Sequence, residues 1–218
     1  MAGISKPILI VACLLEALFA ATLATAPDVA KTLPILLLAG AIWIVGVYFI
    51  VAQRSPSRQL LQFIIAAGFL FRITVWTLDA PFTDDLYRYR WEGKLQSQGG
   101  NPYTARPIDP EWQRLRDETY ARVGGKDFKA VYGPATEIIA RLTYSAIAPF
   151  QLSPRTETFW FKLPAALADL FVIAALVHLL AIRGKPRELV LVYAWSPLPI
   201  WEFWASGHND ALVVLALL

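Results

Sequence analysis

Long apolar runs separated by short polar breaks dominate this chain. Pro7 to Ala26 and Leu33 to Ala52 come first, joined by Pro27-Asp28-Val29-Ala30-Lys31, and Gln59 to Leu78 follows, interrupted by Arg72. A polar stretch then runs from Asp79 to about Val131. Beyond it lie Thr136 to Phe150, which carries Glu137 and Arg141, then Phe159 to Ile182, Leu189 to Phe203, and Ala211 to the end. A helix of about twenty apolar residues crosses a hydrocarbon core of roughly 30 Å. The first three runs and Phe159 to Ile182 meet that length and are expected to span. Thr136 to Phe150 is short and charged, which predicts an interfacial or re-entrant helix. Ala211 to Leu218 makes only about 12 Å of helix, so the chain is expected to be a fragment of a longer one.

Composition agrees with the pattern. The chain is 56% hydrophobic and 17% charged, against about a quarter charged in soluble domains. The pattern therefore predicts an all-α, multi-pass transmembrane bundle. A single domain, 1–218, is expected, with a large outer loop over 79–158 containing juxtamembrane helices. The formal net charge of +3 is too small to suggest nucleic acid. Cys13 is the single cysteine, which excludes an intramolecular disulfide or a thiolate metal site. Lys6 and the Ala24-Thr25-Ala26 sequence imitate a secretory signal, but the long apolar part and the immediate second run favour an uncleaved helix.

Charge also orients the segments. Arg54 and Arg58 follow the second run, and Arg183, Lys185 and Arg187 precede Leu189. Placing both groups in the cytoplasm puts the N-terminus inside. The acidic pair Asp84-Asp85 and the cluster Gly207-His208-Asn209-Asp210 then fall together on the outer face of the cytoplasmic membrane.

Those two clusters hold the candidate chemistry. Adjacent carboxylates near a low-dielectric region repel each other, which raises carboxylate pKa values and favours proton transfer. The competing reading is a helix start, with Thr83 or Asp84 as cap and Asp85 on the macrodipole. Asp85, Tyr89 and Glu92 share one helical face, as do Asp84, Arg88 and Leu95. Arg88, Arg90 and Lys94 suit a phosphate, or pairing with Glu92 and interfacial snorkelling. Asp169 reads as a structural polar contact inside a spanning segment. His208 suits phosphate binding or proton shuttling, and Asn209 and Asp210 suit hydroxyl recognition or a helix cap. His178 and His208 lie on opposite faces, so no metal spacing is convincing.

The ordered set Phe82-Thr83-Asp84-Asp85-Leu86-Tyr87-Arg88-Tyr89, Asn101-Pro102-Tyr103, Tyr132-Gly133-Pro134, Lys162-Leu163-Pro164 with Asp169-Leu170, Ser196-Pro197-Leu198 and Gly207-His208-Asn209-Asp210 resembles the GT-C superfamily of membrane glycosyltransferases. The similarity is greatest to its polyprenol-phosphate-mannose-dependent α-mannosyltransferases. It covers the chain from about Phe82 onward, and each motif alone is short and degenerate. The resemblance implies a polyprenyl-phosphate sugar donor, a glycan or lipid-linked acceptor, inversion, and no metal or other cofactor. It further implies Asp84 or Asp85 as catalytic base, Asp84 preferred, with Lys162, Arg88 or His208 steadying the leaving phosphate. Tyr89, Glu92, Tyr132, Asn209 and Asp210 complete the expected substrate contacts. Two extra membrane segments precede the acidic loop here, and the helices that the family has beyond this point are missing, both departures from the pattern. The alternatives are a carrier or flippase for lipid-linked sugars, which calls for repeats and an intramembrane line of charges that the sequence lacks, and a non-catalytic membrane subunit.

Overall fold

The computed structural model describes residues 4–52 and 57–218. Arg54, used above to orient the chain, lies outside them. The regular structure of the described residues is all helical, with no strand. Helices α1 (Lys6–Thr25), α2 (Val29–Ala52) and α3 (Arg58–Trp76) are followed by α4 (Asp85–Ser97) and, after a long irregular stretch with two 3-10 turns, α5 (Pro134–Ile147). Then come α6 (Pro154–Trp160) and α7 (Leu163–Ile182). Among the described residues, four stretches are long and apolar enough to cross a membrane: α1, α2, α3 and the nearly continuous Pro154–Ile182. They are the four expected from the apolar pattern, the last beginning a few residues earlier than Phe159. At 14 residues α5 is too short to cross, and it packs along α4.

Helices α1 and α3 run parallel. Leu9 and Phe63 lie at one end of their shared groove, and the Thr74 hydroxyl donates to Glu16 further along at 2.6 Å. The starts of α1 and α3 therefore share an end of the bundle with the Arg183–Arg187 turn, where the Ser57 amide donates to Glu188. At the other end lie the α1–α2 turn, Leu78 and Lys162, whose ammonium donates to the carbonyls of Trp76 and Leu78. Two cores result. One is the bundle interior around Phe19, Phe71 and Trp195. The other, around Leu86, Trp91, Leu95 and Phe161, holds the 79–161 region together on the second end.

The run from Leu189 to Phe203, read from its apolarity as one segment, is broken in the structure. A 3-10 turn (Arg187–Val190) and one α turn (Leu191–Ala194) end at Trp195, and a π-helical turn (Ile200–Ser206) follows the prolines. Pro197 and Pro199 lack backbone N–H groups and clash with the preceding turn. The carbonyl freed at Ala194 is taken up by Arg72, whose Nη1 donates to Ala194 O at 2.6 Å and to Gly68 O at 2.9 Å. Gly68 is required for this approach: a Cβ there would stand 2.8 Å from the Ala194 oxygen.

Arg72 is held in turn by Asp169. Its Nε and Nη2 donate to the two carboxylate oxygens at 2.6 and 3.2 Å, with both side chains fully buried. Asp169 also accepts from the Tyr193 hydroxyl at 2.8 Å and from Trp204 Nε1 at 2.9 Å. One carboxylate thus ties α3, α7 and both halves of the broken segment, the structural role expected for it. Removing one partner of such a pair leaves a buried charge and costs about 3–5 kcal/mol. Arg72→Met alone should therefore lower the midpoint of thermal unfolding in detergent sharply. Arg72→Met combined with Asp169→Leu should recover much of that loss. A double variant as unstable as the sum of the singles would show that the two charges do not depend on each other.

Candidate active site

Helix α4 starts at the acidic pair, but not with the cap that its sequence suggests. Asp84 occupies the N-cap position without a side-chain capping bond. The Asp85 amide instead donates to Thr83 Oγ1 at 3.2 Å. The Asp84 carboxylate is left exposed, lying against Gly124, and accepts no hydrogen bond among the described residues. Asp84 and Asp85 line a cleft of about 220 Å³ closed on its far side by Gly125, Phe128, Lys129 and Tyr132.

Asp85 is held on two sides. The Tyr132 hydroxyl donates to Oδ1 at 2.7 Å. Burial, and then that bond to a carboxylate, push the Tyr132 phenol far above its ordinary range, so it stays a donor. On the other side Oδ2 lies 3.6 Å from His208 Nε2. The same nitrogen is 2.9 Å from Thr83 Oγ1. His208 Nδ1 meets Glu202 Oε2 at 2.5 Å, and the His208 amide donates to the Glu202 carbonyl at 2.9 Å. The two polar clusters, 125 residues apart at Thr83 and His208, are therefore in direct contact.

Gly207 makes that contact possible. It sits in the left-handed region at φ +79°, and a Cβ would stand 2.9 Å from Leu86 and 3.0 Å from Lys162. Burial, the largest influence on the His208 imidazole, works to lower its pKa, but the bond and charge of Glu202, with the charges of Asp85 and Asp210, outweigh it. The net effect raises the pKa above the ordinary 6.5.

The other expected contacts divide differently. Arg88, Arg90 and Lys94 are engaged within the protein rather than open to a phosphate. Arg88 pairs with Glu92 at 2.6 Å and donates to the carbonyls of Gly124, Gly125 and Phe128. It lines the cleft while pinning the loop that closes it. Arg90 binds Glu157, Asp117 and Thr119, and Lys94 binds Asp117 and the Leu115 carbonyl. Lys162 is fully buried on its two carbonyls. Tyr89 packs edge-on against Tyr132 at 4.9 Å, with its hydroxyl against the Asn209 backbone. Asn209 precedes the last helix (Asp210–Ala216) without capping it through its side chain, and Asp210 is exposed on its first turn.

Glu92 and Glu137 meet behind Arg88. Each has one buried carboxyl oxygen without a conventional partner. Burial first, then the charge of Glu92 and a hydrogen bond to it, push Glu137 up to about 9. A proton shared between the two acids accounts for both oxygens. Arg88 therefore faces one negative charge rather than two.

Three participants are not singled out by the sequence. Glu202 stands six positions before His208, a spacing that α-helical periodicity places on different faces; the π turn and the left-handed Gly207 that ends it bring the two together. Thr83 reads only as a cap. Lys129 lies in a loop with no distinguishing pattern, yet it lines the cleft, and its charge also acts on Asp109. No group of three His, Cys, Asp or Glu side chains among the described residues converges in a way that could hold a metal ion.

No curated protein and no solved structure matches the chain. A family model described as alpha-(1->6)-mannopyranosyltransferase, N-terminal domain, matches residues 6–218. The protein thus belongs to the alpha-(1->6)-mannopyranosyltransferase family, a family of glycosyltransferases, and carries four helical stretches long and apolar enough to cross a membrane among its described residues.

Proposed function

We propose that the protein transfers a hexose, mannose by its family, from a polyprenyl-phosphate donor to the hydroxyl of a glycan or lipid-linked acceptor, with inversion. The observation that carries this reading is an unengaged carboxylate, Asp84, next to a second, Asp85, that contacts an imidazole at one end of a membrane bundle. Asp84, with no protein donor on its oxygens, takes the acceptor hydroxyl proton. The resulting oxygen attacks the anomeric carbon from the face opposite the phosphate. The bond from that carbon to the phosphate oxygen breaks, and its electron pair leaves with the phosphate. His208, held as imidazolium by Glu202, donates toward the leaving phosphate, with Lys129 available as a second cation at the cleft. Asp85 orients His208 and Tyr132. The positive Arg183–Arg187 turn at the opposite end of the bundle supports an active site on the outer face of the cytoplasmic membrane.

Two measurements test the roles. Asp84→Asn should reduce transfer from a polyprenyl-phosphate sugar by at least about a hundredfold, the usual scale for loss of a general base, with the unfolding midpoint unchanged. Activity within a few-fold of wild type would exclude Asp84 as the base.

The second is the pH profile of kcat/KM. A folded-state pKa above 6.5 means that the stabilising charge of His208 is fully present below pH 6.5 and is lost as pH rises through the raised value. Activity should therefore fall on the alkaline side. Glu202→Gln removes the principal raising influence, so the alkaline limb should move to lower pH. A limb that stays in place in Glu202→Gln would assign the titration to another group.

A further inference from the structure

A second, larger cavity opens beside the reactive cluster. It is an apolar groove of about 630 Å³ between the first half of α2 and the broken segment around Ser196–Glu202. Its floor is the small pair Gly40 and Ala41, and its walls include Leu37, Trp43 and Trp201. Helix α2 is the least covered of the four spanning stretches, with 17% of its core window buried against 33–39% in the others. Leu33, Leu37 and Ile44 along the groove are exposed. In a membrane this face meets hydrocarbon, so the groove is a place where a lipid chain enters rather than one that water fills.

The groove is continuous with the chemistry. Glu202 lines its end, and the same carboxylate holds His208. Phe82 lines it as well, with its ring 5.5 Å from that of Trp201. Phe82 does so from the left-handed region, at φ +67°, and Ala80 two residues earlier is at φ +41°. Neither residue is glycine, so the Ala80–Phe82 corner stores backbone strain of the kind found at ligand clamps. That corner turns the chain from the groove at Phe82 to the cleft at Asp84 within two residues.

We propose that this groove seats the hydrocarbon chain of the lipid-linked donor, its first units against Phe82, Trp201 and Trp43 and its head turned to the Glu202–His208–Asp85 cluster. This rests on the lipid-linked donor reading above and goes beyond it by assigning α2 and the Ser196–Glu202 turn as the chain-recognition surface. A single elongated apolar chain with one polar end matches both the shape of the groove and its one polar terminus.

Gly40 offers a direct test, because a Cβ there meets nothing within 4 Å, so Gly40→Phe fills the groove without disturbing packing. Transfer by the full chain in lipid nanodiscs is measured with a long-chain polyprenyl-phosphate sugar and with an analogue truncated after its first isoprene units. Wild type should prefer the long chain. Gly40→Phe should raise KM for it by about tenfold, the effect of losing one or two buried methylenes, and so abolish the preference. Leu38→Phe, on α2 but outside the groove, should keep the preference. A Gly40→Phe variant with wild-type chain-length preference overturns the proposal.

Binding separates the groove from the donor reading. A photoreactive polyprenyl phosphate carrying no sugar is cross-linked to the full chain, and the labelled peptides are mapped. Label on α2 and residues 196–202 supports the groove even if no lipid-linked sugar proves to be a substrate. Label elsewhere, or none because another protein segment fills the groove, overturns it even if transfer from a lipid-linked donor is confirmed.

Discussion

A buried ion pair organises this molecule. Arg72 and Asp169 sit inside the bundle with no exposure, where an unpaired charge would be prohibitive. Each therefore has to be satisfied by protein, and satisfying them dictates the rest. The remaining nitrogen of Arg72, Nη1, takes up the Ala194 carbonyl where prolines break the last long segment. The remaining lone pairs of Asp169 draw Tyr193 and Trp204 from either side of that break. The broken segment is thereby positioned so that its π turn delivers Glu202 and His208 to the start of α4. A pair that contributes little net stability over a hydrophobic replacement is here a device for placing backbone.

At the delivered end, charges are sorted by how completely the protein occupies them. Arg88, Arg90, Lys94 and Lys162 are spent on carboxylates and carbonyls, which fixes the 79–161 region over the end of the bundle. The Asp84 carboxylate accepts no hydrogen bond among the described residues, and Asp85 and His208 hold each other. An exposed acid beside a restrained acid–imidazole pair is the asymmetry that a displacement reaction requires, with one group accepting a proton and another steadying the leaving anion.

Much of this was legible in the chain. Apolar run lengths found the four spanning stretches, and charge placement brought Asp84-Asp85 and His208 to one end before any contact was known. Asp169 reads as structural because an acid in a spanning helix needs a partner, whereas that partner, Arg72, shows in the sequence only as an interruption of the third run. What stayed hidden depends on tertiary hydrogen bonding. The cations of α4 looked available because composition does not reveal carbonyls approaching from Gly124, Gly125 and Phe128. The break after Trp195 was concealed by apolarity that continues across it, although Pro197 and Pro199 carried the signal. Glu202 escapes a sequence reading because its six-residue spacing from His208 becomes a contact only through the π turn and the left-handed Gly207 that ends it.

The central claim is that two motifs far apart in sequence act as one reactive unit. A double-mutant cycle on the transfer rate, with Asp85→Asn, His208→Gln and the pair, measures this directly. Residues in contact should couple, so the double variant should be about as slow as the slower single variant. If the two losses simply multiply, the motifs act independently, and the single site described here is wrong.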